Sequence, residues 1–224
     1  MKDFEDVNAI TLNFKEGAEK FFQDDWLVDG LFKKGTFNII TGSYEEETNV
    51  AYKLATCLNN GIDFFGHSVK KSSCLYVDCM HSNSEIFHKG KKTVDDLGIS
   101  DPKNIRVMPL WRKNIPFKKM INGVKQALIN TPEIDVIFYD NFHAMFEGDI
   151  NNCSEVMQAM VDLEMATPNA TVFIVCDAVL SCNDPIYCIR GSGVFGSHAD
   201  EIMCAKKGKK IQVVGRHTTL IELS

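Results

Sequence analysis

Hydrophobic residues fall into two kinds of pattern along this chain. Short, mostly apolar runs, which are typical of buried strands, occupy residues 37–40, 73–78, 105–108, 135–140 and 171–176. Between them lie longer stretches with apolar residues at helical spacing, beginning near Thr48, Ser82, Pro116 and Ser154. Because strands that alternate with helices build a parallel sheet covered by helices, the pattern predicts an α/β fold.

Beyond residue 200 the pattern changes to short strands separated by turns. Runs at residues 202–205 and 211–214 flank Lys207-Gly208, which predicts a hairpin turn, and residues 219–223 form a last strand. We therefore expect a mainly parallel sheet with a C-terminal antiparallel extension. Since no repeat, low-complexity tract or long linker interrupts the chain, residues 1–224 are predicted to form one domain.

The first 34 residues lead into this domain. Residues 13–22 predict a short amphipathic helix, and the residues after it predict a loop. Four large apolar residues of that loop are expected to pack at the edge of the sheet: Trp26, Leu27, Leu31 and Phe32. The acidic start of the chain is unlike a signal peptide.

Composition limits the classes of protein to which the chain can belong. With 224 residues, 45% of them hydrophobic, it can bury a substantial core, which excludes a disordered protein. A net charge of −6 argues against a surface that binds nucleic acid throughout. No apolar run approaches the ~20 residues of a membrane helix, and the eight cysteines form no C-x-x-C pair. We expect a cytoplasmic protein with reduced thiols that does not bind membranes.

Residues 35–55 have the order of a phosphate-binding loop: a short strand, a turn at Gly42 and a helix. A helix N-terminus favours an anion, because its backbone N–H groups are free and its dipole is positive there. A working loop reads G-x-x-x-x-G-K-[ST], in which the lysine contacts the β and γ phosphates. Here neither a glycine nor a lysine follows Gly42 in the loop, and three glutamates occupy positions 45–47. Since carboxylates repel phosphates, this loop is expected not to bind a nucleotide.

Segments along the chain, taken in order, resemble the RecA-like P-loop ATPases of the plasmid RepA hexameric-helicase group and, more loosely, RecA and DnaB. The resembling segments are residues 26–31 with 34–35 (approach to the first core strand), 39–42 (strand before Walker A), 135–140 (Walker B strand), 190–193 with 199–203 (R-G-S segment and the strand behind it) and 207–216 (closing hairpin). The resemblance covers residues 26–224 and implies a RecA-like fold, with a mainly parallel sheet flanked by helices.

The resemblance also implies where a nucleotide site would lie. The Walker A lysine falls on Glu47 or Thr48, and the catalytic glutamate after the second strand falls on Met80 or His81, so no catalytic residue is expected. The remnant of the nucleotide site comprises Gly42, Ser43, Tyr44, Glu45, Glu46, Glu47, Thr48, Asn49, Asp140 and Arg190. Residues 45–47 are either an internal mimic of phosphate or ordinary acidic residues of a first helical turn.

Asp140 and two histidines also have ordinary structural interpretations. Asp140 holds Mg²⁺ only if a Mg-nucleotide binds, so no metal site is expected, and an aspartate before Asn141 is as often a turn or cap residue. His81 and His88 lie seven residues apart, but no third ligand is evident. Both histidines are therefore expected to be solvated.

Three functions stay open. The first is a catalytically inactive scaffold or regulatory subunit in DNA replication or in plasmid or mobile-element maintenance, without a cofactor, which self-associates or binds a protein partner. The second is an ATP-binding, RepA-like ATPase or helicase-related protein that uses ATP and Mg²⁺ on DNA. It needs a basic residue at the loop, and the nearby candidates are Lys33, Lys34, Lys53 and Arg190.

The third function is binding of single-stranded nucleic acid. Residues 103–125 contain no acidic residue. In such a stretch basic side chains contact the phosphate backbone, and aromatic side chains such as Trp111 and Phe117 stack on bases. The candidate contacts are Arg106, Arg112, Lys113, Lys118 and Lys119, with Lys103 and Lys125 beside them. The ordinary alternative is a solvated helix face.

Overall fold

The structure is a computed structural model that describes residues 25–43, 45–102, 105–111, 113, 115–179, 184–208 and 210–223. The predicted helix over residues 13–22 and the predicted site residues Tyr44 and Arg112 lie outside these ranges, as does Lys103.

The elements follow one another much as the sequence pattern predicts. In chain order they are β1 (Trp26–Val28), β2 (Phe32–Lys33), β3 (Phe37–Gly42), α1 (Glu46–Asn60), β4 (Ser73–Asp78), α2 (Asn83–Asp96), β5 (Arg106–Pro109), α3 (Phe117–Asn130), β6 (Ile134–Asp140), α4 (Phe142–Met145), α5 (Cys153–Ala166), β7 (Thr171–Asp177), α6 (Val194–His198), β8 (Glu201–Ala205), β9 (Ile211–Gly215) and β10 (Ile221–Leu223). The predicted strands from residue 37 onward are all present, with ends that agree within two residues. The short helices α4 and α6 were not predicted, because a single turn leaves no periodicity to detect.

Eight strands form one sheet in the order β10-β9-β8-β3-β7-β6-β4-β5. The strands from β8 to β5 in this order pair in parallel, whereas β9 and β10 add antiparallel pairs. The predicted fold, a parallel sheet flanked by helices with an antiparallel C-terminal extension, is therefore confirmed. Since β3 lies between β7 and β8, the loop that follows β3 leaves the middle of the sheet.

Helices cover both faces of the sheet. On one face α1, the β1–β2 pair and Ile86 of α2 pack over the strands, and on the other face α3 and α5 do so. Neighbouring residues of a strand contribute to opposite cores: Ile39 lies in the core under α3 and α5, and Ile40 in the core under α1. None of the helices in the described part of the chain is both long enough and apolar enough to cross a bilayer.

The expectation that residues 25–34 form a loop at the sheet edge is wrong. β1 and β2 pair as an antiparallel hairpin. Leu27, Leu31 and Phe32 are fully buried, and the ring of Phe32 lies 5.1 Å from that of Phe173 in the central strand β7. The hairpin reaches the middle of the sheet because its large apolar side chains fill the core beside α1.

A row of aromatic rings runs across the sheet beneath α1. The ring centroids are 5.1 Å apart from Phe32 to Phe173, 4.8 Å from Phe173 to Phe138, 5.5 Å from Phe138 to Tyr76, and 4.2 Å from Tyr76 to Tyr52. All five rings are buried. The row ends in two tyrosine hydroxyls at the carboxyl ends of β4 and β6, where the candidate site lies.

Candidate functional site

The described residues of the predicted nucleotide-site remnant lie at or beside the edge where the parallel strands β3, β4, β6 and β7 end. In an open α/β sheet, ligands bind in the crevice outside the carboxyl ends of the strands. Here that edge carries the loop between β3 and α1, together with the last residues of three strands, Asp78, Asp140 and Asp177.

Gly42 ends β3 in a place where only glycine fits. A Cβ there would collide with the Ala205 carbonyl oxygen and would lie 2.8 Å from both the backbone nitrogen and Oε2 of Glu47. The next residues stay close to β8, since the Ser43 N–H donates to the Ala205 carbonyl at 3.2 Å. Glu45 then adopts φ 67°, and α1 begins after it. The loop is therefore a tight turn, in which the Glu47 N–H donates to the carboxyl of its own side chain.

Glu47 is buried inside this turn. It is 6% exposed, and its Oε2 has no hydrogen-bond partner among the described residues. Burial raises the pKa of the Glu47 carboxyl to about 7, an effect that its own backbone N–H partly offsets and that the charges of Asp140 and Asp177 reinforce. Near neutral pH, a large fraction of this carboxyl is therefore protonated.

The other glutamates of the loop point outward. Glu45 is exposed and accepts a hydrogen bond from Lys89 Nζ at 2.6 Å, which lowers the pKa of the Glu45 carboxyl. Lys89 comes from α2, and sequence reasoning did not name it as a basic residue near the loop. Glu46 is half-buried and Asn49 is exposed.

Asp140 lies at the end of β6 and is fully buried. Its Oδ2 accepts a hydrogen bond from the Tyr76 hydroxyl at 2.7 Å, and its Oδ1 accepts one from the Thr48 hydroxyl at 3.3 Å. Burial raises the pKa of the Asp140 carboxyl to about 6, and the negative charge of the nearby Asp78 contributes to this increase. The alternative of a turn or cap role for Asp140 is wrong, because Asn141 caps α4 by accepting from the His143 N–H.

Asp78 and His81 complete a buried network with Asp140. Asp78 is fully buried at the end of β4, directly opposite Asp140 in the register of the two strands. It accepts hydrogen bonds from the Tyr52 hydroxyl at 3.1 Å and from the backbone N–H groups of Met80 and His81 at 2.9 Å and 2.8 Å.

The expectation that His81 is solvated is wrong, whereas His88 is exposed as expected. The Nδ1 atom of His81 lies 3.1 Å and 3.3 Å from the two carboxylate oxygens of Asp78, and this hydrogen bond raises the pKa of the imidazole. Sequence reasoning did not identify Asp78. The available signal was an aspartate ending a buried strand next to the strand that ends in Asp140.

Arg190 lies at the border of the site. Its side chain is exposed, and Nη1 is 3.7 Å from Oδ2 of Asp177 at the end of β7. The other oxygen of Asp177 accepts from the Asn141 amide at 2.8 Å. Arg190 thus balances an acidic residue of the edge.

The three lysines considered as replacements for the loop lysine are engaged elsewhere. Lys34 pairs with Asp135 at 3.6 Å, near the start of β6 and so at the opposite end of that strand from Asp140. The Lys53 ammonium lies 3.6 Å from the ring centroid of Phe65, and that of Lys33 lies 5.0 Å from the ring of Trp26. In the described part of the chain, this edge of the sheet therefore gathers carboxylates and suits a cation better than an anion.

The described residues of the basic stretch 103–125 lie on β5, on α3 and in the segments beside these elements. Lys113, Lys118, Lys119 and Lys125 are exposed, whereas Arg106 pairs with Glu133 at 2.6 Å. Phe117 is buried and packs against Phe142 and Phe146, so the expectation that it could stack on bases is wrong. Nucleic-acid contact by Arg106, Arg112, Lys113, Lys118 and Lys119 stays a prediction, to be tested by titrating single-stranded DNA at low and high salt.

Comparisons with known proteins agree with this architecture. A KaiC-like protein from the hyperthermophilic archaeon Pyrococcus horikoshii has a similar structure, with a TM-score of 0.56, 12% identity and 89% of each chain covered. At that identity the similarity concerns the fold, which is the RecA-like fold of P-loop ATPases. No curated protein matches the sequence. The AAA domain family matches residues 5–176, which is more than half of the 224 residues. The chain therefore belongs to the AAA domain family.

Proposed function

We propose that this chain is a RepA-type relative of the RecA-like ATPases that no longer hydrolyses ATP. It acts as a scaffold or regulatory subunit in DNA replication or in plasmid or mobile-element maintenance. The observation that carries the proposal is the buried Glu47 carboxylate packed against Gly42.

The contact between Thr48 and Asp140 supports an alignment of this loop with the phosphate-binding loop of P-loop ATPases. In P-loop ATPases the loop serine or threonine and the Walker B aspartate hold the same Mg²⁺ ion. Thr48 and Asp140 are joined by a hydrogen bond, so Thr48 takes the place of the loop hydroxyl. Glu47 then takes the place of the lysine, so the positive charge at this position is lost.

The residues present do not fit a triphosphate. Phosphoryl transfer depends on positioning and on positive charge around the phosphates. Here Glu47 fills the space next to Gly42, with Asp140 and Asp177 close enough to raise its pKa. Ionised carboxylates repel phosphate oxygens, and a protonated carboxyl offers them no positive charge. Bringing phosphate oxygens into this loop is therefore unfavourable.

A protein partner suits the surface beside this edge. Ile186, Tyr187 and Val179 are 41%, 75% and 38% exposed in the segments that flank Arg190 and Asp177. Exposed apolar residues of this kind mark contact surfaces, and tyrosine is enriched there. The partner is a second copy of this chain or another protein, as the resemblance to ring-forming ATPases implies.

The test is calorimetric titration of the protein with Mg·ATP, with ADP and Mg²⁺-free arms, and thermal melts at millimolar ligand. We expect neither heat nor stabilisation for the natural chain. The double variant Glu45→Gly with Glu47→Lys is expected to gain ATP affinity. Glu45→Gly with Glu46→Lys is the matched control, because it makes the same charge change with the lysine one residue away. Saturable ATP binding by the natural chain, or no gain in the double variant, contradicts the proposal.

One observation favours a second candidate, an ATP-binding protein with an unusual loop. Lys89 reaches Glu45 at 2.6 Å, and its side chain is 17% exposed, so a cation from α2 already lies against the loop. If the natural chain binds ATP, Lys89→Ala is expected to abolish the binding, whereas Lys92→Ala, which removes a lysine paired with Asp96, leaves it unchanged.

A further inference from the structure

Three metal-ligating side chains converge at the ends of β4 and β6. Asp78, His81 and Asp140 are all buried, and one ligand atom from each lies within 4.8 Å of the other two. Atoms bound to one ion at ~2.1 Å lie at most ~4.2 Å apart, so small side-chain rotations bring the three atoms into a coordination sphere. The backbone already supplies the geometry, because Asp78 and Asp140 are register partners in adjacent parallel strands.

The charges of this cluster are not balanced by protein groups alone. Two fully buried aspartates face one histidine, and in the described part of the chain the donors to the Asp140 carboxylate are the hydroxyls of Tyr76 and Thr48, which carry no charge. Burying like charges together is costly unless a cation compensates. The surplus of negative charge therefore favours the binding of a cation.

A third buried carboxylate lies beside the cluster. Glu47 precedes Thr48, the residue that donates to Asp140, and its Oε2 is buried without a hydrogen-bond partner among the described residues. This observation is independent of the three ligands. It adds a buried carboxyl oxygen without a hydrogen-bond partner among the described residues to the same edge of the sheet, close enough to Asp140 for the charge of Asp140 to raise the pKa of Glu47.

The carboxylates keep capacity for an ion. An ionised carboxylate has about four lone-pair positions. Asp140 receives hydrogen bonds from Tyr76 and Thr48, and Asp78 receives them from Tyr52 and two backbone N–H groups, apart from His81. These donors hold each carboxylate in place and leave a lone pair for coordination. In metal sites, outer-shell hydrogen bonds orient the ligands in the same way.

The donor set indicates the kind of ion. One imidazole nitrogen with two carboxylate oxygens suits Zn²⁺ or Mn²⁺, whereas Mg²⁺ prefers an all-oxygen shell. We infer that Asp78, His81 and Asp140 form a site for a transition-metal dication, which binds without a nucleotide. Three protein ligands leave one position of a tetrahedral ion open to water. The inference does not rest on the proposed function, because it uses no phosphate oxygen and no loop residue as a ligand.

The test uses the full chain, stripped with a chelator and titrated with ZnCl₂ or MnCl₂ alone by calorimetry. We expect one ion per chain, with a dissociation constant in the micromolar range or below. His81→Gln and Asp78→Asn are expected to remove this binding. Tyr76→Phe, which keeps all three ligands, is expected to weaken it about tenfold. His88→Gln is the matched control, since His88 is exposed on the same helix that follows His81.

Two further readouts separate this site from others. Co²⁺ bound here gives weak visible bands of nitrogen and oxygen ligands. A strong thiolate charge-transfer band would place the ion on cysteines and overturn the inference. Equal binding by the natural chain and His81→Gln, with circular dichroism confirming that both are folded, would overturn it as well. ATP titrations in the presence of chelator test the proposed function separately, so either conclusion can fail alone.

Discussion

Replacing Glu47 by glutamine tests whether this carboxyl is buried in the loop. The carboxyl has a pKa of about 7 in the folded chain against an ordinary value of 4.5, so the folded state binds the proton more tightly than the unfolded state. The stability that this proton contributes is fully present below pH ~4.5 and is lost as the pH rises towards ~7, after which it stays constant. Because one pKa unit corresponds to about 1.4 kcal/mol, the total loss is about 3 kcal/mol.

Glutamine keeps the size of the side chain but cannot ionise, so Glu47→Gln is expected to lack this pH-dependent loss. Urea unfolding followed by circular dichroism, in chelator-containing buffers from pH 5 to pH 8, measures the free energy of unfolding of both proteins. The advantage of the variant over the natural chain is expected to grow by about 2.5 kcal/mol across this range. Glu46→Gln, at the half-buried neighbour, is the control and should follow the natural chain. If the curves for the natural chain and Glu47→Gln run parallel, the carboxyl is not buried as described.

Three more changes test other parts of the structure. Phe32→Ala removes a fully buried ring from the hairpin and should cost about 3–5 kcal/mol of unfolding free energy in urea; a loss under 1 kcal/mol would place the hairpin outside the core. Gly42→Ala drives a methyl group into the Ala205 carbonyl and should cost about 3 kcal/mol or more, read as a lower melting temperature; an unchanged melting temperature would show that the turn is looser than described. Lys89→Ala breaks its ion pair with the exposed Glu45 and should change stability by less than about 1 kcal/mol, independently of its effect on ligands; a larger loss would mean that the pair holds the loop in place.

Local patterns were sufficient to predict most of the elements. β6 was predicted because it is apolar on both faces, as a central parallel strand must be. The start of α2 was predicted near Ser82, where Ser82 and Glu85 form a capping box with both reciprocal hydrogen bonds. Signals of this kind depend on residues only a few positions apart, so the sequence displays them directly.

The contacts that define the site depend on residues far apart along the chain. Asp78 faces Asp140 only because β4 and β6 pair in a particular register, and Glu45 meets Lys89 across 44 positions. No rule of sequence spacing predicts contacts between such distant residues. The acidic loop could therefore be predicted, but the residues that contact it could not.

The row of aromatic rings supports the site from within the hydrophobic core. Tyr76 and Tyr52 are held by stacking within the hydrophobic core, and their hydroxyls hold the carboxylates of Asp140 and Asp78. The positions of these charges are thus set by the interior of the domain and not by its loops. A substitution at the far end of the row, in the β1–β2 hairpin, would therefore change the electrostatics of the site without replacing any charged residue. Variation along the row is therefore a means by which this chain could tune the site from a distance.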